Sequence, residues 1–144
     1  QVVEAATAGR IKPGHVVIMR YQGPVGSPGM PELLVASSAL STPQLNGKVA
    51  LVCDGRVSGV AHGAIGVHCS PEAAVGGPIA AVKDGDRITF NCLEGTIHLH
   101  VGDQEIADRL KQWEKRPLPD GTDPYLKRYA ALVSQASQGC VLKA

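Results

Sequence analysis

Lys48-Val-Ala-Leu-Val-Cys-Asp-Gly-Arg-Val-Ser-Gly59 is an apolar run that stops abruptly at an acid and a glycine. Lys48 to Cys53 reads as a buried strand that delivers Asp54-Gly55 into a turn carrying Ser58. The same construction occurs upstream. His15 to Tyr21 (HVVIMRY) is a second β-branched strand, and Gly23 to Pro31 is a loop with four glycines or prolines between its ends. That loop, Gly26-Ser-Pro-Gly-Met-Pro-Glu32, closes on an acid 26 residues before Ser58. Two reactive side chains set among glycines at strand ends predict one polar pocket, because glycine lets backbone approach a small ligand.

Composition supports short strands and many turns. Apolar residues make up 44% of the 144 residues and aromatics only 3%, against 17 glycines and 10 prolines. The core is therefore built from Val, Ala, Leu and Ile, which favours β structure. The expected fold is mainly β with appended helices (α+β), a Gly-rich β barrel or sandwich followed by two helices. The formal net charge is +1 without a run of like charges, so a nucleic-acid footprint is absent. No apolar stretch reaches the roughly 20 residues that span a bilayer. Four cysteines (Cys53, Cys69, Cys92, Cys140) show no CxxC spacing and read as free thiols of an intracellular protein. Gln1 in place of Met marks a processed or cut start.

Along the chain, Val2 to Gly9 reads as a short helix and Pro31-Glu32 opens another through Leu40. Ser70 reads as the N-cap of one helical turn, Ile79 to Val82 as a strand, and Asp84-Gly85 as a hairpin turn. Arg87–Leu93 and Thr96–Val101 alternate at period two and pair across Glu94-Gly95. Asp103 caps an amphipathic helix to about Lys115, with Ile106, Leu110 and Trp113 on one face. Pro117 to Gly121 is a linker, and a last helix runs from about Pro124 to Gln138, closed by Gly139. Residues 1–116 thus hold the barrel and first helix, and 117–144 the linker and last helix.

Ser58 lacks the nucleophile elbow, since Arg56 and Val60 stand where glycines are required. On spacing alone a turn serine capping backbone is favoured; catalysis would need a metal or ammonium group to stabilise the alkoxide. Glu32 has a structural reading at a helix N-terminus and a ligand reading from its glycine-rich approach. His98 and His100 share one side of a strand, without a third zinc ligand nearby. His62, four residues after Ser58, could reach the pocket. His68-Cys69 is rejected as a catalytic pair, because neighbours on a strand face opposite ways.

These stretches, with Tyr21-Gln-Gly-Pro24, Ser70-Pro-Glu-Ala-Ala-Val-Gly-Gly-Pro-Ile79, Val82-Lys-Asp-Gly-Asp86 and Tyr129–Gly139, resemble the C-terminal domain of the dihydroxy-acid dehydratase and phosphogluconate dehydratase family. Within it the chain looks most like the dihydroxy-acid enzymes of branched-chain amino-acid synthesis, with sugar-acid dehydratases next. The resemblance implies a swivelling β barrel and removal of water from a 2,3-dihydroxy acid to give a 2-oxo acid. It implies Ser58 as the base at C2 and Glu32 as a Mg²⁺ ligand, with Gly29, Arg56 and Gly59 as substrate contacts. An iron–sulfur cluster is also implied, with its cysteines and further magnesium ligands on an N-terminal domain. None of the four cysteines here matches a cluster ligand.

The full-length form is expected to be a homodimer in the cytoplasm or an organelle matrix, and the isolated chain inactive. The sequence departs from the family at Gln22, where glutamate is usual, at Val57, and at Val60 or Ala61, where a hydroxyl residue is usual. A stand-alone, non-catalytic binding module is the alternative those departures favour.

Overall fold

The computed structural model describes residues 1–143, which form a small α+β fold. Its elements are α1 (Val2–Thr7), β1 (Val16–Met19), α2 (Leu34–Ala39), β2 (Ala50–Cys53), β3 (Ala64–Gly66), β4 (Ile88–Asn91), β5 (Thr96–Leu99), α3 (Asp103–Lys111) and α4 (Pro124–Leu132). Short 3₁₀ turns lie at Ala73–Val75, Pro78–Ala81 and Ala136–Gln138.

The centre is a three-stranded parallel sheet in the order β1-β2-β3. Val16 pairs with Ala50 and Met19 with Cys53; Ala50 pairs in turn with Ala64 and Val52 with Gly66. Every residue of β2 is buried, as a central parallel strand covered on both faces requires. Alternation along the strands divides the core in two. Leu51 packs with Ile11, Leu40 and Leu45, against which Val17, Met19 and Ile65 also lie. Val52 packs with Ala73 and Ile79, joined by Val16, Ile18 and Phe90. The β4–β5 hairpin pairs Ile88 with Leu99 and Asn91 with Thr96, the pairing its alternation predicts. It seats against β3, where a Cβ on Gly66 would lie 2.7 Å from Ile97 Cδ1.

Several expectations give way to this arrangement. Among the described residues the strands do not close into a barrel, and helical residues outnumber those in strands. Glycine and proline clusters went into loops and 3₁₀ turns rather than into strands. Ile79–Val82 is not a strand but the end of the 3₁₀ turn Pro78–Ala81. The Arg20 guanidinium donates to the Ala80 and Val82 carbonyls at 2.7 and 2.9 Å, which removes them from any ladder. Asp84-Gly85 is consequently a turn into β4, not the tip of a hairpin. β3 was unforeseen, being three residues bounded by glycine.

The helices are shorter than their patterns. α2 starts at Leu34 because Glu32 is engaged in a β-bridge. Gly102 takes the N-cap position of α3, Asp103 is its first residue, and Trp113 lies past its end. α4 stops at Leu132, because Val133 bridges Leu142 and Ser134 N donates to the Val141 carbonyl at 2.8 Å. Gly139, at φ 83°, closes the following 3₁₀ turn, as its position at the end of the pattern indicates.

Arg109 of α3 clamps the turn before β4. Its guanidinium donates to both Asp86 oxygens at 2.6 and 3.1 Å and to the Ala81 carbonyl at 3.1 Å. These hydrogen bonds, followed by the Lys83 N–H, hold the Asp86 carboxyl below the usual carboxylate range. A carboxyl whose pKa is depressed on folding stabilises the fold above its unfolded pKa of about 3.9 and loses that contribution as pH falls through the folded value. Asp86→Asn is expected to lower the urea midpoint at pH 7. The gap between variant and parent should narrow as the titration is repeated below about pH 4; a pH-independent gap would show that ionisation of Asp86 contributes nothing.

Candidate functional site

The loops that follow β1, β2 and β3 all leave the same end of the parallel sheet, its carboxyl edge, where ligands of open parallel sheets bind. Two buried carboxylates shape these loops. Asp54, directly after β2, is 0% exposed and accepts the N–H groups of Tyr21 and Gln22 at 3.0 and 2.8 Å and of Ala73 at 2.9 Å. That grip holds Tyr21 in the left-handed region at φ 65°. Glu72, 1% exposed, accepts from Val25 N at 3.0 Å, Gly26 N at 2.8 Å and Gln135 Nε2 at 2.9 Å. Its own N–H donates to Gln135 Oε1 at 2.7 Å. A buried carboxylate is tolerable only when so fully satisfied.

Two glycines exist to let this happen. A Cβ on Gly23 would stand 2.6 Å from Glu72 Oε2, and one on Gly55 would stand 2.5 Å from the Gln22 carbonyl oxygen. Sequence reading missed Asp54 and Glu72 as anchors. It placed Glu72 in a helical turn capped by Ser70, whereas Ser70 Oγ bonds Ser137 Oγ at 3.0 Å and Glu72 itself precedes the 3₁₀ turn. The available signal was an acid isolated among alanines and glycines.

Beyond Gly26 the chain turns at Gly29 (φ 86°) and Met30 (φ 44°) and reaches Glu32. Glu32 forms a parallel bridge with Arg56, and Leu33 N donates to the Arg56 carbonyl at 3.2 Å. The Arg56 Nε donates to the Met30 carbonyl at 2.5 Å. The two motifs are thus stitched together, and Ser58 follows two residues after the bridge. Glu32 is exposed and lines a cavity of about 730 Å³ with Arg20, Tyr21, Gln22 and Arg116. Its carboxylate makes no hydrogen bond or ion pair among the described residues.

Ser58 is half-buried and does not line that cavity. Its Oγ accepts from Val60 N at 3.4 Å, and its carbonyl accepts from Ala61 N at 3.0 Å. Gly29 and Gly59 are exposed, with open space where a Cβ would stand.

The histidines fall elsewhere. His62 lies in a narrow crevice with Ser37, Asn46 and Ile65, apart from Glu32. His68 and Cys69 are not on a strand, so the argument from opposite faces does not apply to them. His68 is left-handed at φ 57° and donates its N–H to the Gly55 carbonyl, while Cys69 N donates to the Cys53 carbonyl. His98 and His100 do share a side, with ring centroids 4.6 Å apart, and His100 Nε2 lies 2.7 Å from Thr89 Oγ1. No group of three or more His, Cys, Asp or Glu side chains able to hold a metal forms among the described residues. The cysteines are all unpaired. Burial pushes the Cys53 thiol up to about 11, opposing the Gly55 N–H, and raises Cys69 and Cys140 as well.

This is an α+β domain with a polar, glycine-shaped loop cluster at the carboxyl edge of a parallel sheet. Residues 1–140 match the family described as dihydroxy-acid/6-phosphogluconate dehydratase C-terminal, and the chain belongs to that family. It is 49% identical over 141 residues to the dihydroxy-acid dehydratase of Acetivibrio thermocellus, covering 98% of this chain and 25% of that protein. It is 44% identical to the Aquifex aeolicus protein of the same name over 100% of this chain and 26% of the relative. For that of Pyrobaculum neutrophilum the identity is 47%, over 98% and 25%. The chain spans about a quarter of the length of these curated relatives.

Removing the Asp54 acceptor strands three buried or partly buried N–H groups. Asp54→Ala is expected to cost about 3–5 kcal/mol of unfolding free energy, and Glu72→Gln about 1–3 kcal/mol. Urea denaturation checks both, and a loss below 1 kcal/mol at Asp54 would contradict its anchoring role.

Proposed function

We propose that this chain is the C-terminal domain of a hydro-lyase that dehydrates a 2,3-dihydroxy acid to a 2-oxo acid, the reaction type used in branched-chain amino-acid synthesis. The observation that carries the reading is the Glu32–Arg56 bridge, which sets the acid motif and the serine motif side by side in a chain of this family. In this reading Ser58 Oγ takes the proton from C2. The C2–C3 double bond forms as the C3–O bond breaks, and the resulting enol tautomerises. The proton held on Ser58 passes to C3, and the enol proton leaves with the departing hydroxide as water.

The residues around Ser58 supply no general base in contact with it. The polar neighbour of its Oγ is the Val60 N–H, a donor that favours negative charge on the oxygen. Glu32 is a hard oxygen donor without a partner of its own among the described residues, and Mg²⁺ is usually held by one or two carboxylates together with substrate and water. Glu32 therefore fits a magnesium site as one ligand. When bound, the ion would draw charge from the oxygens it touches and favour the alkoxide. The exposed backbone of Gly29 and Gly59 and the guanidinium of Arg56 are the proposed substrate contacts.

The thiols do not fit an iron–sulfur cluster. Cys53 is buried and its protonated form is favoured, and no metal-binding grouping forms among the described residues. Any cluster belongs to the remainder of a longer protein, against which this unit would swivel. The isolated chain is accordingly expected to be inactive.

In the full-length protein, Ser58→Ala is expected to lower kcat for a 2,3-dihydroxy acid on the order of 10²–10⁴-fold while substrate still binds. Glu32→Gln should move Mg²⁺ activation to higher concentration. Parental turnover in Ser58→Ala would remove the serine from the chemistry.

A further inference from the structure

The chain has two asparagines, and the fold uses them in opposite ways. Asn91 is tied down: its Oδ1 accepts from Leu93 N at 3.0 Å and from Glu94 N at 3.1 Å, and the residue after it is Cys92. Asn46 stands before Gly47 in the turn that leads from α2 into β2, and both are exposed. The side-chain amide of Asn46 makes no hydrogen bond among the described residues.

The turn is secured on either side of this pair. Leu45 N and Asn46 N both donate to the Thr42 carbonyl, at 3.0 and 2.8 Å, and Lys48 N donates to the Leu45 carbonyl at 2.9 Å. The peptide between Asn46 and Gly47 is left out of this set. Among the described residues neither the Asn46 carbonyl nor the Gly47 N–H has a partner. Gly47 sits at φ 69°, and beyond its chain neighbours nothing lies within 4 Å of where a Cβ would stand. Its main-chain nitrogen is thus open to solvent, and no Cβ hinders approach to it. Asparagine is among the chemically labile residues, and here its reactive neighbour is uncovered.

We propose that Asn46 is a site of spontaneous deamidation through Gly47, and that its isoaspartyl product loosens the entry to β2. Gly47 N bonds to Asn46 Cγ, the Cγ–Nδ2 bond breaks, and the nitrogen released leaves as ammonia, carrying the proton that Gly47 N gives up. The product is a cyclic imide. Water then adds at one of the two imide carbonyls and the ring opens. If the bond from Gly47 N to Cγ breaks, residue 46 becomes aspartate. If the bond to the main-chain carbon breaks, it becomes isoaspartate. No oxidant or cofactor takes part, and the inference does not depend on the dehydratase reading.

The two products differ in consequence. Aspartate alters a side chain that the fold does not use. Isoaspartate routes the main chain through the side-chain carbon and lengthens it by about 1.5 Å. That length enters between fixed points. Leu45 is 6% exposed and packs in one cluster with Leu51 of β2, and the Lys48 carbonyl accepts from Gly14 N at 2.6 Å. Asn46 and Gly47 also share a narrow crevice with Ser37 of α2 and with His62, so the disturbance borders the segment after Ser58.

The test is ageing of the folded full-length protein at mildly alkaline pH, read by peptide mapping and mass spectrometry. The Asn46 peptide should convert to aspartyl and isoaspartyl forms at least ~10-fold faster than the Asn91 peptide, a barrier difference of about 1.4 kcal/mol. Asn46→Gln, which would have to close a larger ring, should abolish the conversion. Equal rates at the two asparagines overturn the proposal. So does a rate at Asn46 more than ~10-fold below that of the urea-unfolded chain, because the turn would then protect it. Hydrogen exchange of the peptide covering Ala50–Cys53 reads the consequence. The isoaspartyl form should exchange faster there, while freshly prepared Asn46→Asp should match the parent. Parental exchange in the isoaspartyl form overturns the effect on β2.

Discussion

The fold turns on two carboxylates that replace a sheet ladder. Asp54 and Glu72 together accept backbone N–H groups from Tyr21, Gln22, Val25, Gly26 and Ala73. The β1–β2 ladder ends at Met19 and Cys53, and the N–H groups beyond it donate to carboxylate oxygens. Left unpaired away from water, each would cost about 1–3 kcal/mol. One buried carboxylate answers several of them at once, so the loops can be irregular and still be held. Gln135 extends the device to the end of the chain, because its amide both donates to Glu72 and accepts from it. The loop that leads to Glu32 is therefore positioned from three directions: β2, the segment after β3, and the turn after α4.

This explains which parts of the fold were legible in the sequence. The β-branched runs of β1 and β2 and the period-two alternation of β4 and β5 are strand signals local to each run, and a strand forms within each. β3 is three residues beside glycine and has no such signature. Pro78–Ala81 is apolar enough for a strand, but Arg20, from 60 residues away, claims the Ala80 carbonyl. Glu32 looks like a helix N-terminus until its partner Arg56 is known. In each miss a contact distant in sequence decides the local structure, and no window around the residue contains it.

The candidate site was legible in a different sense. The motif stretches gave the family, yet many of their residues serve the scaffold. Gly23 and Gly55 stand where any side chain would strike Glu72 or the Gln22 carbonyl, and a Cβ on Gly77 would lie 1.7 Å from the Pro71 carbonyl oxygen. Much of what makes the motifs recognisable is thus the packing that anchors Asp54 and Glu72. The side chains of Glu32 and Ser58 are exceptions: the Glu32 carboxylate has no partner among the described residues, and the Ser58 hydroxyl has one long hydrogen bond. On the proposed reading, side chains so little used by the fold are the ones free for chemistry.

If Glu32 and Ser58 act together, as proposed, their charges also restrict what that chemistry is. A serine hydroxyl used as a base must pass through an alkoxide, and a carboxylate nearby makes that negative charge harder to form. Glu32 alone would therefore oppose the role proposed for Ser58. A cation held by the Glu32 carboxylate would reverse the sign, because it would favour the alkoxide. The protein's own cations do not fill that place: Arg20 donates to two carbonyls, the Arg56 Nε is tied to Met30, and Arg116 stacks on Tyr21. On the proposed reading the site is thus charge-incomplete without a metal ion. On the same reading, the other ligands of such an ion would include water and substrate, since no group of three metal-binding side chains forms among the described residues.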